Sequence, residues 1–415
     1  MEHVNAFQKH SRFKVWSINT QQEFLLSLTK FQFQIMVLHY SLFGNIEYML
    51  SEPFLNYIED CPASYKVAFF QDELRLCCQR FDFLNQHKVD CVYTLVEPTY
   101  FKEFYGKFTS VPKLINYIPG NVSEELIEIA RRMTIPESER RIDIGYRARN
   151  LSFAWGKGAR EKTDVATGFL ERAKNLGLRL DIATGDDQRI YGDAWYEFIA
   201  NCRAVLGVES GSSFTDIYDV AHPECERLIA LNPNATFEEV FEKVLSKWEG
   251  NIPQRTISPR HFEAAAFRVT QILFEGKYSG IMQPLKHYIP LKKDFSNFDD
   301  CIRMFNDQAF CHEIRENAYR DLIASGRYSY RKLISSFDAE LQKEGLQSAI
   351  TSVEAYRVSY ALKKERLLQK WRAWKKFVLY DMKLPGRKVL AFFGGPLLRA
   401  FRRWKQRRGR MTGSI

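Results

Sequence analysis

The stretch IDIGYRARNLSFAWGKGAREKTDVATGFLERAKNLGLRLDIAT, residues 142–184, decides the fold. Its two apolar runs, Ile142–Tyr146 and Leu178–Thr184, have the length and composition of buried strands. The segment between them ends in GFLERAKNLG and has the 3.6-residue period of a helix. A strand, a helix and a strand in succession predict two parallel strands joined by a crossover helix.

The same alternation continues on both sides of this stretch. A polar connection at 136–141 divides the strands into two series, and from residue 298 onward the apolar period becomes helical. We therefore predict an α/β fold with two Rossmann-like lobes, residues 1–135 and 136–345, and a basic amphipathic helical tail, residues 346–415. The other predicted strands are Phe13–Ile18, Phe33–Leu42, Tyr65–Phe70, Val89–Val96, Leu114–Ile118, Ala204–Val208 and Thr270–Phe274.

Length and composition narrow the class of protein. A chain of 415 residues is too long for one ordinary core, and a hydrophobic content of 45% is enough to fill two. The eight cysteines show no C-x-x-C spacing, which argues against a zinc site or a disulfide framework and favours a reducing compartment. Because neither a signal-peptide pattern nor an 18-residue apolar run occurs, we expect a cytoplasmic protein.

The positive charge is concentrated at the C-terminal end. From Tyr356 onward there are eighteen basic and two acidic residues, so this part carries +16 and the rest −6 of the total of +10. Basic residues interleaved with aromatic ones are typical of a helix in the interface of an anionic membrane. Packing on the body, a solvated arm and nucleic-acid binding are the alternatives. The aromatic residues are Trp371, Trp374, Phe377, Phe392, Phe393, Phe401 and Trp404.

Ligands of doubly wound sheets bind beyond the carboxyl ends of the strands, and four such segments of the second lobe carry small and polar residues. In the first, Arg147, Arg149 and Lys162 stand among glycines that let backbone N–H groups approach a phosphate. A solvated basic loop explains this pattern equally well, because it is neither a P-loop nor a complete G-x-G-x-x-G.

The second segment, LGVESGSSFTD, forms a predicted tight polar turn directly after a strand. Serine hydroxyls and backbone N–H groups in such a turn suit a diphosphate or a sugar, although an ordinary β-to-α turn has the same residues. Its candidate residues are Glu209, Ser210, Gly211 and Ser212.

The third segment, ISPRHFEAAAF, begins a helix and carries Arg260 and Glu263. A carboxylate at this place suits ribose hydroxyls, although the helix dipole alone also favours Glu there. The fourth segment, ILFEGKYSGIMQP, follows a strand and suits a polyhydroxylated ligand or a plain turn. Its candidate residues are Glu275, Gly276, Tyr278, Ser279 and Gly280.

Together these segments resemble the second lobe of two-Rossmann, GT-B-type glycosyltransferases, especially the bacterial CgeB-like group. The resemblance is carried by IDIGYRAR, YGDAWYEFIANCRAVLGVESGSSFTD, SPRHFEAAA, LFEGKYSGI and HYIPLKKDFSN in this order. The first lobe is matched less specifically, by HSRF, VLHYS, AFFQDE and DCVYTLVEP. The resemblance implies that Arg147 or Arg149, with Lys162, holds a donor diphosphate and that Glu263 accepts bonds from the donor ribose.

One position departs from the family pattern. Many retaining relatives have a second Glu eight residues before the ribose Glu, and this sequence has Arg255 there. The sugar-facing role then passes to Glu209 or is absent, which leaves retention or inversion of configuration open.

The resemblance also implies catalysis in a cleft between the lobes, where a base activates the acceptor hydroxyl. His39 and Asp72 each follow a first-lobe strand and are the candidates, with a core or turn-bonding role as the alternative. His287 and Asp294 are expected at the cleft floor, although Asp294 also suits a helix cap. No D-x-D tripeptide occurs, so neither a metal nor another cofactor is expected.

The resulting hypothesis is an enzyme that transfers a sugar from a nucleotide-sugar donor to a glycan or lipid-linked glycan acceptor. It predicts a peripheral location at the cytoplasmic face of the membrane, with the basic tail on the anionic surface and no nucleic-acid partner. Two alternatives remain: a noncatalytic nucleotide-sugar-binding relative, suggested by Arg255, and a basic nucleic-acid-associated protein, suggested by the tail.

Overall fold

The structure is a computed structural model that describes residues 2–44 and 50–380, with the side chains of 376–380 outside that description. The chain forms two compact units. Of the described residues, 2–21, 33–44 and 50–349 form the first unit, and 22–32 and 350–380 form the second.

The first lobe contains a four-stranded parallel sheet in the order β1-β2-β3-β4. Its central strands, the second and third, are almost entirely buried, as parallel strands covered by helices on both faces are. The elements are α1 (Glu2–His10), β1 (Ile35–Leu38), α2 (Glu52–Glu59), β2 (Tyr65–Phe69), α3 (Cys77–Gln86), β3 (Cys91–Thr94), α4 (Phe101–Phe104), β4 (Lys113–Asn116) and α5 (Glu124–Met133).

The second lobe contains a five-stranded parallel sheet in the order β11-β10-β7-β5-β6 and a two-stranded antiparallel pair, β8-β9. Its elements are β5 (Ile142–Arg147), α6 (Gly156–Ala173), β6 (Leu180–Ala183), α7 (Asp193–Asn201), β7 (Cys202–Gly207), β8 (Ser210–Ser212), α8 (Ala221–Leu231), α9 (Phe237–Val240), β9 (Gln254–Thr256), α10 (Pro259–Ala266), β10 (Thr270–Phe274), β11 (Ile289–Leu291), α11 (Phe298–Asn306), α12 (Gln308–Ala318) and α13 (Tyr330–Lys343).

The predicted fold class, an α/β chain with two Rossmann-like lobes, is confirmed by these two parallel sheets. The stretch 142–184 forms β5, α6 and β6, and the helix buries Val165 and Phe169 in the core that also contains Ile144 of β5. The apolar period thus determined the crossover, because a helix between parallel strands must bury one stripe against the sheet. The predicted domain limits at residues 135 and 345 stay a prediction.

The observed strands differ from the expectation at Phe13–Ile18, at β11 and at the β8–β9 pair. The predicted strand Phe13–Ile18 is wrong: this segment is irregular, although Phe13 and Val15 pack against the first core. An apolar run can be buried by side-chain packing alone, without a strand partner. The short strand β11 was missed because it contains Pro290, a residue that sheets tolerate at an edge strand such as this one.

Contacts between the lobes occur on two sides of the unit. On one side, α5 contributes Leu126 and Ala130 to the second-lobe core, and α13 packs Phe337 on the first sheet.

On the other side, a helical insertion lies between β8 and β9. Here Asp219 accepts hydrogen bonds from the Leu76 N–H at 3.0 Å and from the Arg75 guanidinium at 3.2 Å. The Gln254 amide of β9 donates to the Glu73 carbonyl oxygen at 2.9 Å, and the Asp216 N–H donates to the Leu74 carbonyl oxygen at 2.9 Å.

The second unit is built around α14 (Ser352–Tyr380), a helix that lies within the predicted helical tail. A 3-10 helix at Leu26–Lys30 is capped by the Glu365 carboxylate, which accepts the N–H groups of Leu26 at 2.6 Å and Ser27 at 2.7 Å. Among the described residues, no helix is both long and apolar enough to cross a membrane. The tail residues Phe392, Phe393, Phe401 and Trp404 lie outside the described part of the chain.

Candidate functional site

All four predicted segments of the second lobe meet at one edge of its sheet. Strands β10, β7 and β5 are neighbours and run parallel, so their carboxyl ends lie side by side. The Tyr278 N–H donates to the Glu209 carboxylate at 2.8 Å, which joins the segments after β7 and β10. The Arg260 guanidinium donates to the Arg147 carbonyl oxygen, which joins the start of α10 to the end of β5. The sequence therefore located one continuous surface.

Lys162 of α6 is the least compensated charge at this edge. Burial lowers the pKa of its ammonium group, and the nearby guanidinium groups of Arg255, Arg260 and Arg149 lower it further, while Asp72 of the first lobe acts in the opposite direction. No carboxylate of the described residues lies within ion-pair distance of Lys162 Nζ. A half-buried cation surrounded by cations is a strong attractor for an anion.

The three candidate arginines have different partners. Arg147 lies beneath the surface: its guanidinium donates to the Asp181 carboxylate at 2.6 Å and lies 4.6 Å from the centre of the Phe198 ring. Arg149 is exposed and belongs to no ion pair among the described residues. Arg260 is exposed, and its guanidinium lies 4.8 Å from the centre of the Trp195 ring. Of the predicted donor-binding arginines, Arg149 and Arg260 are accessible.

Arg255 is the centre of a largely buried ion network. Its guanidinium binds the Glu161 carboxylate, donates to the Gly158 carbonyl oxygen at 2.8 Å and lies 3.5 Å from the Glu209 carboxylate. Lys293 binds the other oxygen of Glu161 at 2.7 Å. Glu209 is therefore held by Arg255 and by the turn after β10.

The predicted polar turn after β7 is instead the strand β8, which pairs with β9. Gly211 has φ +90°, and a side chain there would overlap the Gln254 carbonyl oxygen, so only glycine fits. Ser212 is buried, and its hydroxyl donates to the Trp155 carbonyl oxygen at 3.1 Å. Ser210 is half-buried at the start of the strand. The expectation of a turn was wrong because the partner strand is distant in sequence, and pairing distant in sequence is invisible to local periodicity.

The segment after β10 forms a left-handed turn. Tyr278, Ser279 and Gly280 have φ values of +45°, +56° and +70°. The Ser279 hydroxyl lies 2.8 Å from that of Thr256 and accepts the Ile257 N–H at 3.2 Å, which fixes the turn on β9. Within this turn the Tyr278 N–H donates to Glu209 at 2.8 Å and the Gly280 N–H donates to the Lys277 carbonyl oxygen at 2.8 Å, so both backbone donors are used inside the fold.

The residues around this turn differ in exposure. Tyr278 is fully buried and donates to the Phe274 carbonyl oxygen at 2.5 Å, whereas Glu275, Gly276 and Gly280 are exposed. A Cβ on Gly276 would lie 2.7 Å from the Glu209 carboxylate, so the glycine keeps that carboxylate in place.

Glu263 lies in the second turn of α10, which Ser258 caps. One carboxylate oxygen accepts the Trp195 indole N–H at 2.8 Å. Burial raises the pKa of Glu263, while the indole hydrogen bond and the charge of Arg260 act in the opposite direction. The second oxygen has no hydrogen-bond partner among the described residues, so the carboxylate can accept hydroxyl groups from a ligand.

Asp72 lies at the carboxyl end of β2, with φ +52°. Desolvation by the surrounding protein raises the pKa of the Asp72 carboxyl group, and the positive charges of Lys162 and Arg80 act in the opposite direction. Its carboxylate forms no ion pair with the described residues and stands near the cation of the opposite lobe. The neighbouring Glu73 is fully buried and saturated by Thr94, Tyr105 and the Leu95 N–H, which marks it as structural.

His39, the other candidate base, packs in an aromatic cluster. Its Nδ1 accepts the Ser41 N–H at 3.2 Å, and its ring centre lies 5.1 Å from that of His3. Burial lowers the pKa of His39 to about 4 and that of His3 to about 3. Both rings are therefore neutral near pH 7, and His39 is a weaker proton acceptor than an ordinary histidine.

His287 and Asp294 have structural partners. His287 is buried, with Nδ1 accepting the Gln283 N–H at 3.1 Å and Nε2 lying 3.0 Å from the Asp321 carboxylate. Asp294 accepts the Ser296 N–H at 2.9 Å in the turn before α11. This bond resembles the helix-cap role that was the alternative for Asp294. Within residues 2–44 and 50–380, no His, Cys, Asp and Glu side chains are grouped as a metal site would require. The expected independence of metals and cofactors stays a prediction.

Two residues of the site escaped the sequence analysis. Trp195 orients Glu263 and stacks under Arg260, but a tryptophan in an amphipathic helix is ordinarily a core residue. Glu161, adjacent to Lys162, is bound by Arg255 and Lys293, and its helical position gave no indication of either partner. Both roles depend on contacts between segments far apart in sequence.

No protein-family model matches the sequence, and no curated protein matches it. Solved structures that align with the chain include TarM, with 10% identity over 73% of this chain and 53% of TarM and a TM-score of 0.41. A sucrose-phosphate synthase (tll1590) from Thermosynechococcus elongatus aligns with 11% identity over 75% of this chain and 73% of the synthase, with a TM-score of 0.40. An alpha-glucosyltransferase in complex with UDP-glucose and DNA containing an abasic site aligns with 13% identity over 75% of this chain and 79% of that enzyme, with a TM-score of 0.43. This chain thus spans about half of TarM.

Proposed function

We propose that this chain transfers a glycosyl group from a nucleotide-sugar donor to a glycan or lipid-linked glycan acceptor. The observation that carries the proposal is Lys162, a half-buried cation without a counter-ion among the described residues, beside Arg149 and Arg260 and facing Asp72. Such an arrangement favours a ligand with more than one negative charge, and the diphosphate of a nucleotide sugar has this property. It also matches the GT-B-type pattern that the sequence resembles.

Each part of the donor has a candidate partner at the sheet edge. Lys162, Arg149 and Arg260 bind the diphosphate, and the free oxygen of Glu263 accepts the ribose hydroxyls. The exposed turn of Glu275, Gly276 and Gly280 presents polar groups to the sugar, and Ser210 lies at the start of the adjoining strand. Positive groups fixed around the departing diphosphate stabilise the charge that develops on it during transfer.

Asp72 is the best candidate for the base that activates the acceptor hydroxyl. Its raised pKa makes it a better proton acceptor than an ordinary aspartate, and it lies close enough to Lys162 for their charges to interact. His39 is less suited because burial lowers its pKa to about 4 and Ser41 occupies its Nδ1. Glu209 is less suited because Arg255 and the Tyr278 N–H already hold its carboxylate.

A noncatalytic nucleotide-sugar-binding protein is the second candidate. The observation in its favour is Arg255, which replaces the family's second Glu and occupies Glu209 in an ion network. The two candidates share the donor site and differ only in turnover.

The experiment that separates them measures both binding and product. A panel of nucleotide sugars is screened by thermal shift, because a ligand of the folded state raises the melting temperature. The best donor is then incubated with glycan acceptors, and release of the nucleoside diphosphate is followed. Turnover that falls about tenfold or more in Glu263→Gln, and not in Glu171→Gln at an exposed position of α6, supports the transferase. Binding without turnover supports the second candidate, and no binding of any nucleotide sugar contradicts both.

We propose further that the reaction takes place at an anionic membrane surface, through helix α14. Its exposed side chains include Tyr360 (56%), Leu367 (58%), Trp371 (54%) and Trp374 (54%), which lie on one face at helical spacing. The same helix buries Val358 and Leu362 on another face. The helix therefore has one buried apolar stripe and a second, Trp-containing stripe that is exposed. An exposed apolar stripe of this kind marks an interaction surface.

Lysines flank this stripe and indicate the sign of the partner. On a helical projection, Lys364 and Lys375 lie on one side of the Tyr360–Trp374 face, and Lys363 and Lys370 lie on the other. Basic residues beside buried Trp and Leu suit a helix that lies in a negatively charged interface.

Vesicle flotation tests this surface. We expect the protein to float with vesicles that contain phosphatidylglycerol and not with phosphatidylcholine alone. Replacing Trp371 and Trp374 with Ser should reduce the bound fraction about tenfold or more. The reason is that burying each indole ring in the membrane interface contributes about 1 kcal/mol or more to the free energy of binding. Replacing exposed Leu170 and Leu176 on the first unit with Ser is the control. Binding to duplex DNA with the same dependence on Trp371 would instead favour the nucleic-acid alternative.

A further inference from the structure

A cavity of about 590 Å³ lies beside the turn that follows β10. One wall is the segment after that turn, from Gly280 to His287, and the other is the π-helical end of α12 with the segment that leads to α13. That last segment joins the lobes: the Tyr328 carbonyl oxygen accepts the Val122 N–H at 2.8 Å. The cavity has the volume of a ligand site, and of its lining residues only Gly280 and His287 have a predicted role.

The cavity wall has an excess of positive charge. Lys286, Arg320 and Arg327 are its cations, and Asp321 is its only carboxylate. His287 adds no charge near neutral pH: its Nδ1 accepts the Gln283 N–H, so Nε2 carries the proton and donates to Asp321, and burial lowers the pKa of the ring. Three cations and one carboxylate leave a net charge of +2.

Asp321 is already saturated by the wall itself. One oxygen accepts from the Arg320 guanidinium at 3.1 Å, and the other lies 2.8 Å from Lys286 Nζ and 3.0 Å from His287 Nε2. These bonds lower the pKa of Asp321 well below its usual range. The carboxylate therefore positions Lys286 and Arg320, and these two cations already balance its charge.

Arg327 provides the donors that remain. Its side chain is exposed at the cavity wall and forms no ion pair or hydrogen bond with the described residues. Lys286 and Arg320 each have further N–H groups beyond those that bind Asp321 and Asn317. Next to these donors, Tyr328 and Ile281 give the wall an apolar part of the kind on which sugar rings pack.

We infer that this cavity binds an anionic saccharide, one that carries a carboxylate or a phosphate. Charged donors beside an aromatic ring match a ligand with an acidic group on a sugar ring. The inference deepens the proposed function: because the cavity adjoins the turn assigned to the donor sugar, the acidic saccharide is the acceptor or part of it.

The test uses one disaccharide in three forms: neutral cellobiose, cellobiouronic acid and cellobiose 6′-phosphate. Binding to the full chain is measured by calorimetry, in the presence and absence of a bound donor. We expect both acidic forms, or one of them, to bind at least tenfold more tightly than cellobiose. Preference for one acidic form identifies the acidic group as carboxylate or phosphate. Equal affinity for all three, or no binding of any at millimolar concentration, overturns the inference.

Variants locate the binding within the molecule. Arg327→Ala should weaken binding of the acidic form about tenfold, since a hydrogen bond to a charged group is lost, and should leave cellobiose unchanged. Arg327 has no side-chain partner to lose, so the variant should fold; Lys332→Ala, an exposed lysine on α13, is the control. An unchanged affinity in Arg327→Ala overturns the inference. If acidic saccharides bind and no nucleotide sugar does, the proposed function fails while the cavity site stands.

Discussion

The carboxyl-end edges of the two sheets differ in the charges that they leave uncompensated. At the second sheet, Lys162 and Arg149 are cations without an ion-pair partner in the described part of the chain. At the first sheet, the uncompensated group is the carboxylate of Asp72, while adjacent Glu73 is saturated by three groups. The same architecture thus presents opposite charges from its two halves.

This difference teaches that position at a strand end is not enough to identify a functional residue. Arg147 and Lys162 both belong to the first segment of the second lobe, yet Asp181 and Phe198 hold Arg147, and Lys162 has no such partner. A cation that the fold leaves without a counter-ion attracts a ligand anion more strongly than one that is already paired with a carboxylate. The predictions below rely on this distinction.

The largest effect is expected at the first sheet. Asp72→Asn keeps the shape of the side chain and removes the proton acceptor, so kcat should fall roughly 100-fold to 10,000-fold, the usual contribution of a general base. The KM for the donor should change little, and steady-state kinetics checks both values. Asp82→Asn, at an exposed position of α3, is the matched control. An unchanged kcat in Asp72→Asn would remove the first sheet from the chemistry.

A smaller effect is expected at the second sheet. Lys162→Gln should weaken nucleotide-sugar binding roughly 10-fold to 100-fold, because a charge-assisted bond to the diphosphate is lost. The melting temperature of the free protein should stay the same or rise, since the replaced cation lies among other cations. Calorimetry and thermal unfolding measure the two effects, with Lys174→Gln as the exposed control. A loss of stability would show that Lys162 has a structural partner instead.

The pH dependence of kcat/KM reports both edges at once. The Asp72 pKa is raised, so activity should decline on the acid side at a higher pH than for an ordinary aspartate, as the base becomes protonated. The Lys162 pKa is lowered, so donor capture should decline on the alkaline side earlier than for an ordinary lysine, as the cation loses its proton. Asp72→Asn should abolish the acid limb and keep the alkaline one. A profile of wild-type shape in that variant contradicts the assignment.

The smallest effect on donor binding is expected for Arg147→Gln. Since the guanidinium is engaged with Asp181, donor affinity should change by no more than about twofold. The free energy of unfolding should decrease by on the order of 1 kcal/mol, because Asp181 and Phe198 lose their partner. Urea unfolding and calorimetry distinguish the two results. A large loss of donor affinity with unchanged stability would mean that Arg147, and not Lys162, binds the diphosphate.

The sequence predicted which segments meet at the sheet edge better than it predicted the partners of their side chains. Strand ends could be located because β5, β7 and β10 are apolar runs, and parallel strands end at one edge. The partner of each polar group could not be predicted, as with Arg255 and Glu161, which are separated by 94 positions in the chain. Likewise, nothing in the local pattern indicated that 210–212 would pair with 254–256.

By itself, the sequence determined the alternation of strands and helices and the concentration of positive charge after residue 355, because periodicity and composition are local properties. Only the tertiary structure decided which charges are compensated. Lys162 remains without a partner, Arg147 does not, and the cations at 286, 320 and 327 come together around one carboxylate. Electrostatic compensation depends on distances of a few ångströms between residues far apart in the chain, and folding alone sets those distances.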